Sequence, residues 1–295
     1  MHRRRLAAND SAVDIPVRTS DPAAVEAAVL DLFHAAFPEG PTAGISRVFA
    51  RAAECFAGRF PGYQAVDVRY HDLEHTLQGT LCLARLLRGR QRAGATPTGT
   101  AELFELAITA ALLHDTGYLK TRDDTEGTGA KYTVTHVARS AEFAARLLPS
   151  MGFTPSQIQS VQNMIRCTGV NADLAGIPFR SELERLHGFA VATADLLGQM
   201  AADDYPEKLP QLFEEFAESA RFSGPGSPTG AFATAPDLIA RTPEFWERYV
   251  KPKLEKQFAG VFRFLNQPPP AGRNDYLERV EANITRIRRE NPPAA

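Results

Sequence analysis

Ala107–Leu119 reads AITAALLHDTGYL. Ile108–Leu113 is apolar except for Thr109, and it runs straight into His114-Asp115. The run predicts a helix over Glu102–Leu113 that is apolar on every side and therefore buried. A carboxylate at the end of such a run is costly unless it is paired or bound to a metal. Neighbouring helical residues diverge by about 100°, so His114 and Asp115 can converge only where the backbone turns. Gly117 is placed to allow that turn.

Two further features answer to this pair. Upstream is Tyr70-His71-Asp72-Leu73-Glu74-His75, inside a stretch, Val66–Arg92, that reads as one long helix or two. On a helix, His71 and His75 share a face; one could hold a metal while the other faces what the metal binds. Downstream, Asp195 is the one acid in the apolar helix Phe189–Leu197. A buried salt bridge to an arginine of a neighbouring helix would suit Asp195 equally well. Taken together, His75, His114, Asp115 and Asp195 are expected to close around a metal ion. Two imidazoles and two carboxylates suit Zn, Mn, Fe or Mg. Such a site leaves positions open for water, which it can activate to attack phosphorus. If a second ion is present, Asp115 is the residue to bridge the two.

Helical signals continue in both directions. Ser20-Asp21-Pro22 starts a helix with Val25, Val29, Leu32, Phe33 and Ala36 on one face. A second runs about Ala43–Ala57. After the polar stretch Lys120–Thr135, a lid or a solvated loop, helices are expected over His136–Leu148, Thr154–Arg166, Ser181–Met200 and Leu209–Phe222. Residues 223–236 read as a flexible connection. Two more helices, about Pro243–Leu265 and Asn274–Arg289, complete the chain. No segment alternates like a strand, so the fold class expected is all-α. The expected layout is a flexible N-terminus over 1–19, a catalytic domain over 20–222 and a C-terminal helical extension, 236–295, packed on it.

The totals narrow the function class. The 295 residues are 44% apolar with a net charge of −2, which implies no general attraction to nucleic acid or anionic membrane. Cys55, Cys82 and Cys167 are scattered in apolar helical contexts and read as buried, reduced thiols. The basic start lacks an apolar segment behind it, so it is not a secretory signal, and no run of 18 apolar residues exists. A cytoplasmic protein is expected, and the Ala- and Arg-rich composition suggests a bacterial one. Arg139 could clamp a phosphate through its guanidinium fork, although a surface ion pair is the commoner use.

The order His75…His114-Asp115…Asp195 resembles the HD superfamily of metal-dependent phosphohydrolases in its minimal form. Tyr70-His71-Asp72-Leu73-Glu74-His75 is similar to the Y-H-N-x-x-H signature of the cyclic-nucleotide phosphodiesterases within it. The resemblance covers roughly 40–222 and implies an all-α helical bundle. It implies metal ligation by His75, His114, Asp115 and Asp195, with one or two divalent ions. His71 would be the general acid, oriented by Asp72, and His136 would serve a second ion. Lys120 would contact phosphate, standing two positions beyond Tyr118, where relatives carry His or Lys. Gln199 would be a candidate to hold the substrate base. The activity implied is hydrolysis of a phosphomonoester or phosphodiester, a nucleotide or cyclic nucleotide, with a homodimer as an open expectation. Two other classes stay open: a di-iron oxygenase of the same superfamily and a non-catalytic module that binds a nucleotide or partner.

Overall fold

A computed structural model describes residues 17–224 and 226–291. The expected loose segment before Val17, with His2, lies outside the described residues. Among the described residues ten α-helices, joined by 3-10 turns and loops of varied length, account for the fold, and no strand occurs. α1 (Pro22–Ala36) starts where Asp21 accepts the N–H groups of Ala23 and Ala24. α2 (Ala43–Phe56) follows and buries Ile45, Val48, Phe49, Ala52 and Phe56.

The centre is built by three helices: α3 (Leu73–Arg92), α4 (Ala101–Leu113) and α7 (Glu182–Met200). Each packs on the other two. α4 buries every residue from Leu106 to Leu113, as its all-apolar sequence requires. Around this centre stand α5 (His136–Leu147), α6 (Pro155–Arg166) and α8 (Tyr205–Ser223). α6 starts with a capping box in which Thr154 and Gln157 satisfy each other's backbone N–H groups. α9 (Ala235–Phe245) and α10 (Asp275–Glu290) close the chain. Leu238, Trp246, Phe258, Val280 and Ile284 belong to the same apolar cluster as the central helices. The three cysteines are buried and free, and burial pushes each thiol up to about 12. No helix among the described residues is long and apolar enough to cross a membrane.

Three expectations about the helices need correction. The segment 66–72 is not helical: α3 starts only at Leu73, because Asp72 takes the N-cap position and accepts the His75 N–H at 2.9 Å. His71 therefore lies outside the helix, and the same-face argument for His71 and His75 fails. Second, residues 223–236 are not merely a connection. They contain a 3-10 turn, Pro228–Ala231, and the capped start of α9 at Thr234. Third, Pro243–Leu265 is no continuous helix. Past Phe245 the bonding slips to wider turns at Trp246–Val250 and Lys253–Gln257, then to a 3-10 turn at Val261–Leu265. Pro252 has no N–H to give to the ladder and its ring crowds the preceding turn, which accounts for the slip.

Candidate metal centre

Each central helix delivers one side chain to a common point. His75 sits in the first turn of α3, His114 caps α4, and Asp195 lies in α7. Asp115 follows His114 with φ −105° and ψ 5°, off the helical path. The backbone turns there, so two adjacent side chains converge.

His75 Nε2 is 3.3 Å from Asp115 Oδ2 and 3.2 Å from Asp195 Oδ1. His114 Nε2 is 3.2 Å from Asp115 Oδ2 and 3.3 Å from Asp195 Oδ1. All four residues are largely withdrawn from solvent; Asp195 keeps the most exposure, with 15% of its side chain accessible. His114 Nδ1 faces the Ala111 carbonyl at 2.7 Å. If Nδ1 carries the proton, as a donor to that carbonyl, the neutral ring has a bare lone pair on Nε2. His114 Nε2 and Asp115 Oδ2 are both buried without a hydrogen-bond partner.

Electron pairs therefore face electron pairs, and only positive charge between them relieves the site. One source is protons on the rings. Burial works to lower the His75 pKa, but hydrogen bonds to Asp115 and Asp195, and their charges, hold it up at about 9. Burial likewise raises the pKa of Asp115, and the positive charge of a protonated His114 overrides it, keeping the carboxyl well below its usual range. The other source is a metal ion. Ligand atoms at about 2.0–2.2 Å from one ion and roughly 90–109° apart lie about 2.8–3.6 Å from each other. The four N···O separations fall inside that window, whereas charge-assisted hydrogen bonds run to about 2.7–2.9 Å. His75, His114 and Asp195 offer ligand atoms within 4.8 Å of one another and could hold a metal ion.

A second layer surrounds this group. His136 Nε2 lies 3.8 Å from Asp115 Oδ1, the oxygen turned away from the other imidazoles. Its Nδ1 pairs with the Thr133 carbonyl at 2.6 Å, and burial lowers its pKa. Gly117 makes this approach possible. Its φ is not positive, contrary to the reason for expecting glycine there; a Cβ at this position would meet the His136 carbonyl oxygen at 2.0 Å. Gly117 N–H also donates to Ser140 Oγ on α5.

His71 is held by Glu215 of α8, not by Asp72, whose side chain is occupied capping α3. His71 Nδ1 is 2.6 Å from Glu215 Oε2, and Glu215 Oε1 accepts the N–H groups of Arg69, Tyr70 and His71. Glu215 was not among the expected site residues. It stands beside Glu214 and near Glu218 in the sequence, and no local signal separates the three.

Gln199 bridges Tyr70 and Asp195. Its Oε1 accepts the Tyr70 hydroxyl at 2.5 Å, which turns its NH2 toward Asp195. Nε2 donates to Asp195 O at 3.0 Å and to Oδ1 at 3.3 Å. Lys120 and Arg139 are engaged in the backbone around the site. Lys120 Nζ pairs with Asp67 at 2.8 Å and the Gly127 carbonyl at 2.6 Å. Arg139 donates to the carbonyls of Gly117 and Leu119 and stacks on Tyr132. The stretch 120–135 is thereby pinned, with Thr128 also bonded to Glu218 of α8.

Fold and site together define an all-α protein with a buried His-His-Asp group that could hold a metal ion. The chain belongs to the Npun_R2479-like family, whose model matches residues 57–267. That span includes every residue of the site. No curated protein sequence matches the chain.

Proposed function

We propose that the protein is a metal-dependent phosphohydrolase of the HD superfamily type, acting on a phosphomonoester or phosphodiester such as a nucleotide or cyclic nucleotide. The observation that carries this reading is the closed ring of His75, His114, Asp115 and Asp195, with N···O separations of 3.2–3.3 Å. These four would hold a divalent ion, Zn, Mn, Fe or Mg, and His136 would serve a second one beside Asp115. When bound, the ion lowers the pKa of a water and draws charge from phosphoryl oxygens.

The chain's own residues supply proton control. Glu215 holds the Nδ1 side of His71, which leaves Nε2 as the edge from which a proton can move. In hydrolysis, oxygen of water bonds to phosphorus, the bond from phosphorus to the leaving oxygen breaks, and that oxygen takes the Nε2 proton of His71. The attacking water gives up one proton to solvent and solvent returns one to His71, so one water is added across the bond. Tyr70 and Gln199 orient Asp195, and the Ala111 carbonyl fixes the His114 tautomer, a support typical of metal ligands.

Elemental analysis of purified wild type beside Asp115→Ala tests the reading, with hydrolysis of p-nitrophenyl phosphate and bis(p-nitrophenyl) phosphate assayed under added Mn²⁺. One to two equivalents of metal and turnover are expected in the wild type, both lost in Asp115→Ala. A fully active Asp115→Ala protein, or a wild type without metal and without turnover under Mn²⁺, rejects it. The oxygenase reading draws on the one imidazole, His136, available to a second ion; two equivalents of iron with O₂ consumption would favour it.

A further inference from the structure

Tyr118 closes the turn that follows the ligand pair, and its N–H bonds to the Asp115 carbonyl at 3.1 Å. Its phenol ring stacks on His71 at 4.7 Å between centroids and on His136 at 4.8 Å, with an interplanar angle of 18° in each case. The two imidazoles are 6.2 Å apart. Rings on opposite faces of a phenol would be separated by about 7 Å, twice the carbon–carbon contact distance. Both imidazoles therefore lie side by side over one face of Tyr118. The ring is 1% exposed and packs with Val68 and Ala130, so it has little room to move. Gly129 lies against the Tyr118 backbone: a Cβ there would meet the Tyr118 carbonyl oxygen at 2.2 Å.

The stack ties together groups from three separate parts of the chain. His71 comes from the loop before α3, His136 from the first residue of α5, and Tyr118 from the turn behind Asp115. Each imidazole has one hydrogen bond, at Nδ1, to Glu215 and to the Thr133 carbonyl; Tyr70 and His75 also make T-shaped contacts with the His71 ring, and His136 Nε2 stands 3.8 Å from Asp115 Oδ1. One hydrogen bond leaves a ring able to turn about the bonded atom. A flat surface under the ring removes that freedom. We infer that Tyr118 is a positioning residue: its phenol face is the platform that sets the spacing and tilt of His71 and His136 beside Asp115. The inference rests on the proposed roles of His71 and His136, and its physical content is the face of the ring rather than the hydroxyl. The Tyr118 hydroxyl is buried and makes no hydrogen bond to either imidazole; Thr133 is close enough to interact with it, and the phenylalanine variant tests that contact.

Two substitutions separate face from hydroxyl. Tyr118→Phe keeps the platform, and Tyr118→Leu removes it while keeping an apolar filler. The first readout is metal titration of the metal-free proteins. Tyr118→Leu should bind the first ion as the wild type does and a second about tenfold or more weakly, the scale on which outer supports act; Tyr118→Phe should bind both normally. The second readout is kcat for phenyl phosphate against p-nitrophenyl phosphate. Tyr118→Leu should lose about tenfold or more on the poor leaving group and less on the good one, with KM little changed, and Tyr118→Phe should restore both. Wild-type behaviour of Tyr118→Leu in both readouts overturns the inference. So does a Tyr118→Phe protein that loses either property, and this result decides the matter even if the leucine variant does not fold. If the wild type hydrolyses no phosphoester, the proposed function fails, and the metal titration still tests the platform. If it takes up only one ion, the leaving-group comparison carries the test. A wild type that shows neither a second ion nor turnover removes the two roles the platform serves, and the inference falls with them.

Discussion

Glu215 shows how much a single side chain can organise. Its two oxygens accept three backbone N–H groups and the His71 ring from the segment before α3. Glu215→Gln keeps the volume but presents an NH2 to one of those donors. Turnover is expected to fall about 10–100-fold, with metal content unchanged, as for other supports behind a working group. Steady-state kinetics beside elemental analysis would show it; unchanged kcat on poor leaving groups would argue against His71 as the proton donor. His187 gives a prediction about stability. It is buried away from the site, its Nδ1 pairs with the Leu183 carbonyl at 2.8 Å, and burial pushes its pKa down to about 4. The unfolded chain takes up a proton near the ordinary value of about 6.5, and the native state does not. Stability is therefore complete above about pH 6.5 and falls as the pH drops toward 4, by on the order of 3 kcal/mol. Urea unfolding of wild type and His187→Asn at pH 7 and pH 5 would reveal it as a smaller loss in the variant.

Helix starts and crossings set the distances within the site. The α3–α7 crossing is close because Gly198 packs against Gly79: a Cβ on Gly198 would lie 2.8 Å from the Gly79 backbone. His75 stands four residues before Gly79, and Asp195 three before Gly198, so the crossing fixes the separation of those two side chains. Gly198→Ala has no flexible side chain to push aside. It is expected to destabilise by about 1–3 kcal/mol and to weaken metal binding, readable by thermal melting and metal titration; unaltered affinity would separate the crossing from the site. Asp72 acts at the start of α3. Asp72→Ala should cost about 1 kcal/mol, while Asp72→Asn, an equally good N-cap, should keep stability and turnover. A turnover loss in Asp72→Asn would restore to Asp72 the role in orienting His71 that its capping bond denies it.

Across the whole molecule, the site depends on helices far apart in the chain, and the tail shares their core. Trp246, Leu254, Phe258, Val280, Ile284 and Ile287 are buried in the same cluster as α3, α4 and α7. A chain ending at residue 234 would expose that surface, and loss of a cooperative melting transition is expected; a cooperative, metal-binding truncation would show instead that the tail is dispensable. A bound ion should stabilise the intact protein, since the unfolded chain has no assembled site. At about 100 times Kd the gain is roughly 2.7 kcal/mol, seen as a rise in Tm with Mn²⁺ or Zn²⁺ that a chelator reverses.

The helices and the ligand pair were legible because their signals are local. The apolar run of α4 ending in His114-Asp115, the caps Asp21, Thr154 and Asn274, and the one acid in the apolar stretch Phe189–Leu197 of α7 are all read within a few residues of themselves. Burial of a charged group in an apolar stretch demands a partner wherever the chain places it, so Asp115 and Asp195 could be named as needing partners without a fold, whereas His75 was added by its spacing from His71 and by the family resemblance. What surrounds them could not. His71 reads as a helical partner of His75 until Asp72 is seen to cap α3, and nothing near Gln199 in the sequence shows that its amide joins Tyr70 to Asp195. Glu215, the Tyr118 platform and the Gly198 crossing join residues that are between about 20 and 145 positions apart, to order of magnitude, and such pairings depend on how helices pack rather than on periodicity or propensity. Local chemistry announces which groups need a partner; only the packing of the helices assigns the partner.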